Sequence, residues 1–165
     1  MKTSEIREKY IEFFVKRGHR QIVPSPLIID SDPTTLFTSS GMQQLAPYLK
    51  GEVHPLGKRL VDSQPALRMQ DLDDVADNRH FTFFEMLGNW SLGDYFKAEQ
   101  IEWIWEFFTK DLGLDPKKLY VSVFEGNDQV PKDTESYEIW IKTGVPKDHI
   151  FFYGADKNWW SRAGT

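Results

Sequence analysis

The 165 residues are 40% hydrophobic and 27% charged, enough for one domain with a substantial core and too apolar for a disordered chain. Twenty Lys and Arg against 25 Asp and Glu leave a net charge of −5, which excludes a generally basic, nucleic-acid-coating surface and leaves room only for a local basic groove. With no cysteine there is no disulfide scaffold, thiolate zinc site or cysteine nucleophile, and a reducing, cytoplasmic setting fits best.

The opening "MKTSEIREKYIEFF" mixes charge with apolar residues, so it reads as neither a signal peptide nor a membrane anchor, and a soluble protein is expected. Residues 3 to 17 place Ile6, Tyr10, Phe13 and Phe14 on one helical stripe, with Thr3 or Ser4 before them and Gly18 after. "QIVPSPLII" (21 to 29) is apolar, yet Pro24 and Pro26 suit an extended edge segment better than a central strand. The next stretch reads as a turn at Asp32-Pro33, a short strand around Leu36 to Thr38, and a helical segment ending at Gly51.

"RLVDSQPALRM" (59 to 69) and "RHFTFFEML" (79 to 87) flank the polar "QDLDDVADN", which predicts an antiparallel hairpin around an acidic loop. A helix is expected from about Tyr95 to Leu112, with Asp94 as N-cap and Gly113 beyond its end; its stripe is Ile101, Ile104, Trp105, Phe108 and Leu112. "KLYVSVFE" (118 to 125) alternates like a strand, "TESYEIWIKTG" (134 to 144) reads as a short helix and "HIFFYG" (149 to 154) as a short strand. Helices and hairpin-connected strands interleave without regular βαβ units, which predicts an α+β fold with an antiparallel sheet.

Strand alternation divides the stretch from 79 by face. His80, Thr82, Phe84 and Met86 share one side, while Phe81, Phe83 and Leu87 share the other and are expected to pack as core against the long helix that follows. The first set joins an imidazole, a hydroxyl, a flat ring and a thioether. On composition alone it suits either an ordinary core or the floor under a heterocycle with phosphates at one end. Base-on-aromatic stacking is worth about 1–3 kcal/mol. If the hairpin closes over its acidic loop, Arg68 falls beside His80, toward the far end of the strand from Phe84, where its forked guanidinium suits a phosphate.

Other signals are weaker. Gly88 and Gly93 have P-loop spacing, but Asp94-Tyr95 replaces the required Lys and Ser/Thr, so both are read as turn residues between strand and helix. The four histidines lack metal-ligand spacing, and no protein zinc site is expected. The loop acids Asp71, Asp73, Asp74 and Asp77 read as a solvated turn. Asn89-Trp90-Ser91 forms a glycosylation sequon that matters only in a secreted chain.

"DPTTLFTSSGMQQLAPYLKG", "SQPALRMQDLDDV" and "RHFTFFEMLGNWSLGDYF" together resemble the opening, motif 1 and motif 2 regions of the alanyl-tRNA synthetase family of class II aminoacyl-tRNA synthetases. "IREKYIEFFVKRGH" and "KNWWSRAGT" fit the same family, so the resemblance spans residues 1 to 165, the N-terminal part of its adenylate-forming domain. It implies a six-stranded antiparallel sheet flanked by helices, ATP with Mg²⁺, L-alanine, and the acceptor end of alanine tRNA as partners. Alanyl-adenylate forms first and the acyl group then passes to tRNA.

Carried over by position, the resemblance makes Arg68 the arginine on the α-phosphate, sends His80 toward the outer phosphates, stacks Phe84 on adenine with Met86 beside it, and makes Met42 and Trp160 walls of the alanine pocket. Asp71 matches the motif 2 loop aspartate. Two departures accompany it. Only Met69 and Gln70 separate Arg68 from Asp71, where longer family loops carry glycines and a lysine, and nothing before Thr165 matches motif 3 or the tRNA-recognition, editing and C-terminal regions. The residues alone also admit a noncatalytic ATP-binding module or a structural α+β domain whose aromatic hairpin is only core, and they leave the oligomeric state open.

Overall fold

The computed structural model describes residues 1–28, 36–77 and 79–159, with the side chains of Gln70, Asp71 and Asp74 outside the described part. The turn expected at Asp32-Pro33 therefore lies outside the described residues, as does Trp160. The chain divides into two compact units, Met1–Asp94 and Tyr95–Thr165.

The first unit opens with helix α1, Thr3–Val15, which buries Tyr10, Phe13 and Phe14. Its N-cap is Lys2, ahead of the expected Thr3 or Ser4, and the Glu5 carboxylate accepts the Lys2 backbone N–H at 2.7 Å. The helix closes on Gly18 in the left-handed region at φ 86°, and the His19 N–H returns to the Phe14 carbonyl at 3.1 Å. The two-residue strand β1 (Arg20–Gln21) then pairs in parallel with β2 (Arg59–Leu67), and β2 pairs antiparallel with β3 (Phe83–Ser91), giving the order β1-β2-β3. Between β1 and β2, residues 22–26 with Pro24 and Pro26 form no regular element, Ile28 bridges Phe37, and a 3-10 helix (Gln43–Leu45) and the short helix α2 (Ala46–Leu49) follow.

The hairpin forms in the register Ala66 opposite Phe84 and Gln64 opposite Met86. Strand β3 begins four residues later than the sequence suggests. The Asp77 carboxylate accepts the backbone N–H groups of Arg79 (2.7 Å) and His80 (2.8 Å), a local turn that competes with a strand ladder. The acidic loop is partly ordered as a 3-10 helix, Met69–Asp74.

Core formation on the odd-numbered face differs from expectation. Phe81 and Phe83 are 65% and 55% exposed, so neither is core. Helix α1 covers this face farther along β3, where Tyr10 Oη donates to Asn89 at 2.8 Å and Arg7 grips Glu85 through two nitrogens. Phe83 lies one step beyond that cover.

The second unit opens with α3 (Lys97–Glu106), which widens into a π turn at Phe107–Asp111 and ends at Gly113, φ 67°. Its N-cap is Phe96, not Asp94: the Asp94 carboxylate is held by Arg59, while Glu99 reaches back to the Phe96 N–H at 3.5 Å. Strand β4 (Val121–Phe124) pairs in parallel with β5 (Ile150–Tyr153), and α4 (Thr134–Thr143) connects them before the short α5 (Ala155–Asn158). Asp133 caps α4 by accepting the Ser136 N–H at 3.0 Å, and Lys97 donates to Asp133 at 2.9 Å. Val123, Val145 and Ile150 form the core of this unit, flanked by Trp105, Tyr137 and Trp140. The α+β reading holds. Among the described residues the antiparallel ladder is the β2–β3 hairpin, with an antiparallel bridge at Ile28–Phe37 and parallel pairs beside β1 and between β4 and β5.

Candidate active site

Alternation along β2 sends Leu60, Asp62, Gln64 and Ala66 to the face shared with Phe84, Met86, Gly88 and Trp90. All four β2 residues are completely buried, although two are polar, so this face is no ordinary apolar core. At its open end lies half-buried Arg68, whose backbone N–H donates to the Thr82 carbonyl at 2.7 Å. Its guanidinium carbon stands 5.2 Å from the centroid of the Phe84 ring, and Nε donates to the Ser39 carbonyl at 3.1 Å. With Nε thus occupied and a ring beside the guanidinium carbon, the fork is restrained before any ligand arrives.

This placement corrects two expectations. Arg68 lies against Phe84 instead of at the far end of the strand from it, because Ala66 is opposite Phe84 and Arg68 is the next residue on that face. His80 is not on the strand at all: its side chain is half exposed, and Nδ1 sits 2.7 Å from the Asp77 carboxylate. That carboxyl is held below the usual aspartate range by hydrogen bonds from the backbone and ring of His80 and from the backbone of Arg79.

The segment from Thr38 to Gln44 forms a second wall. The Leu67 N–H donates to the Thr38 carbonyl at 2.9 Å, extending the sheet hydrogen bonding onto this segment, and the Gly41 N–H reaches the Met86 sulfur at 3.2 Å. Half-buried Met42 follows directly. Arg68, Phe84, Met86 and the Gly41–Met42 turn are thereby brought onto one side of the hairpin. The side chains of Asp71 and Trp160 lie outside the described residues.

Beneath this wall is a polar network that periodicity from residue 79 onward did not reach. Asp62 accepts from Trp90 Nε1 at 3.0 Å and from Gln44 Nε2 at 3.2 Å. Gln64 accepts the Ser25 N–H at 2.8 Å and donates to the Ser25 carbonyl at 2.9 Å. Burial pushes the Asp62 carboxyl above the ordinary aspartate value, and the Trp90 and Gln44 hydrogen bonds oppose that push. Gly88 belongs to β3 itself and is not the expected turn residue; a Cβ there would lie 2.6 Å from the Trp90 ring and 2.7 Å from Asp62 Oδ1. The available sequence signal was the pair of polar residues at alternate positions in "LVDSQPAL", both on the face that also holds Leu60 and Ala66.

A model of the family described as tRNA synthetases class II (A) matches residues 5–165. The chain is 55% identical to the alanine–tRNA ligase of Treponema denticola over 162 residues, which covers 97% of this chain and 27% of that protein. It is 51% identical to the alanine–tRNA ligase of Borrelia hermsii, covering 100% of the chain and 28% of that protein, and 47% identical to that of Rubrobacter xylanophilus, covering 99% and 19%. The chain thus spans between a fifth and just over a quarter of these relatives. With its α+β architecture, the match over residues 5–165 establishes that the chain belongs to the class II tRNA synthetases.

Proposed function

We propose that this chain is the N-terminal, ATP-binding part of the adenylate-forming domain of an alanine–tRNA ligase. The observation that carries the reading is Arg68, braced by the Ser39 carbonyl and set beside Phe84 on one face of the hairpin. Phe84 presents a ring for adenine, with Met86 beside it, and Arg68 presents its terminal guanidinium nitrogens to the α-phosphate. A carboxylate oxygen of alanine attacks the α-phosphorus, and the bond to the bridging oxygen breaks as pyrophosphate leaves. Negative charge grows on the non-bridging oxygens during that step, and a fixed cation at such a position commonly contributes about 10²–10³ in rate.

The family resemblance assigns Met42 and Trp160 to the alanine pocket and His80 to the outer phosphates. Asp71 serves adenylate formation or the tRNA acceptor end from the hairpin loop. Mg²⁺ arrives on the ATP phosphates. A pocket sized for a methyl group discriminates against serine and glycine by only about 10²-fold. No helix among the described residues is long and apolar enough to cross a membrane, and the setting we propose is cytoplasmic.

Amino-acid-dependent exchange of labelled pyrophosphate into ATP tests the reading in the full-length protein carrying this segment. Exchange with alanine that exceeds exchange with serine and glycine is expected. ATP binding without exchange for any amino acid would instead make the segment a noncatalytic nucleotide-binding module.

A further inference from the structure

The Ser39–Gln44 segment is held at both ends by groups of different kinds. At one end the Ser39 carbonyl receives Arg68 Nε at 3.1 Å. At the other, Gln44 Nε2 donates to Asp62 Oδ2 at 3.2 Å, and Gln44 Oε1 accepts from Ser25 Oγ at 3.2 Å. Between these anchors, Gly41 approaches so closely that a Cβ would stand 3.1 Å from the Trp90 ring and 3.6 Å from Asp62 Oδ1. The Asp62 carboxylate therefore meets both the residue under the turn, Trp90, and the residue that anchors its far side, Gln44.

A buried carboxylate is a costly way to join two strands, since unpaired burial of a charge is strongly unfavourable and an apolar pair would pack at lower cost. What it supplies is direction. Oδ1 accepts from the indole and Oδ2 from the amide, so the two donors are held at a fixed separation that a hydrophobic contact would not specify. Met42 lies between the two anchor points, one residue after Gly41 and two before Gln44.

We propose that Asp62 is a positioning residue for the amino-acid side of the site: through Gln44 and Trp90 it sets the height of the Gly41–Met42 turn above the hairpin. The proposal rests on the reading of Met42 as a wall of the alanine pocket. Asp62 itself, completely buried and with both oxygens occupied, touches no substrate. Its effect falls more on alanine than on ATP, because Phe84 is fixed in the strand ladder and Arg68 is held at the Ser39 end of the segment, away from the Gln44 anchor.

The test is steady-state pyrophosphate exchange in the full-length protein with Asp62→Asn, Gln44→Glu, the double variant and Met42→Ala. In Asp62→Asn the new amide keeps an oxygen for Trp90 but turns a donor toward the Gln44 donor. KM for alanine is expected to rise about tenfold, the size of one lost buried hydrogen bond, with KM for ATP little changed. Gln44→Glu places two carboxylates together and raises the same KM. In the double variant the amide introduced at position 62 donates to the carboxylate introduced at position 44, and alanine affinity recovers relative to either single change.

Equal movement of both KM values, or a double variant no better than the worse single, would overturn the proposal. Should Asp62→Asn fail to fold, Gln44→Ala carries the same test, since it leaves Trp90 on Asp62; an alanine-selective rise supports the proposal and its absence overturns it. If Met42→Ala raises the alanine KM and the Asp62 and Gln44 variants do not, the positioning role alone falls. If Met42→Ala leaves that KM unchanged, the pocket reading falls and the proposal with it.

Discussion

The Arg68 guanidinium carbon lies 5.2 Å from the centroid of the Phe84 ring, and Nε donates to the Ser39 backbone carbonyl on a third segment. The two residues proposed to meet the phosphate and the base of ATP thus stand side by side, Arg68 held by Ser39 and Phe84 by the strand ladder. Arg68→Lys is expected to weaken ATP binding by about tenfold or more, because an ammonium cannot both brace on Ser39 and present a planar fork. Phe84→Ala is expected to weaken ATP and adenosine alike, by about 1–3 kcal/mol for a lost base stack. Calorimetric titration with ATP and with adenosine separates the two, since Arg68→Lys should leave adenosine affinity unchanged.

Trp90 supplies one of the two hydrogen bonds on the Asp62 carboxylate. Trp90→Phe leaves Oδ1 buried without that donor, a loss of about 1–3 kcal/mol in urea unfolding. The pH dependence has a definite sign. Burial already raises the folded-state value of Asp62 above 3.8, so its favourable contribution is full below that value and is lost as pH rises through the raised one. Removing a donor that opposes the rise enlarges this effect, and the variant should be more destabilised at pH 7 than at pH 4.

Gly88 offers an independent check on the same packing. With a Cβ only 2.6 Å from the indole and 2.7 Å from Asp62 Oδ1, Gly88→Ala is expected to cost about 1–3 kcal/mol through overpacking. Combining it with Trp90→Val opens the space, and the two changes together should cost less than their sum in thermal unfolding.

His19 closes helix α1 from a buried position, with Nδ1–H donating to the Phe14 carbonyl at 3.0 Å and the ring edge-on to Phe14. Burial, the largest cause, together with the Arg59 charge, lowers its value to about 4 against the helix-end hydrogen bond that raises it. A base with a lowered folded value stabilises fully above its ordinary 6.5, and that contribution is lost as pH falls through about 4. The wild-type melting temperature should therefore fall faster between pH 7 and pH 5 than that of His19→Asn, which keeps a donor but does not titrate there. A gap between the two that is independent of pH would assign the acid sensitivity elsewhere.

Helices α1 and α4 were legible because apolar spacing and a terminal glycine agree in each, and in α4 an acidic cap agrees as well. The hairpin was legible from two apolar runs around a polar one. The start of β3 was not, since Asp77 diverts the amides of Arg79 and His80 into a turn and so removes His80 from the face that alternation had assigned to it. Phe84 and Met86 kept their side because they lie within the ladder. The pairing of Arg68 with Phe84 depends on register, which no single strand reveals. The network of Asp62, Gln44, Gln64 and Ser25 joins residues from 25 to 64, and its partners meet only once the chain has folded.

The most direct measurement of the central claim is alanine-dependent pyrophosphate exchange by the full-length protein with and without Arg68→Ala, with alanine and ATP saturating. Exchange should be lower by about 10²–10³ in the variant, the contribution of a fixed cation at developing phosphate charge, while the fold is preserved by circular dichroism. A folded Arg68→Ala protein that exchanges pyrophosphate at the wild-type rate would contradict the assignment of this hairpin face as the site of adenylate formation.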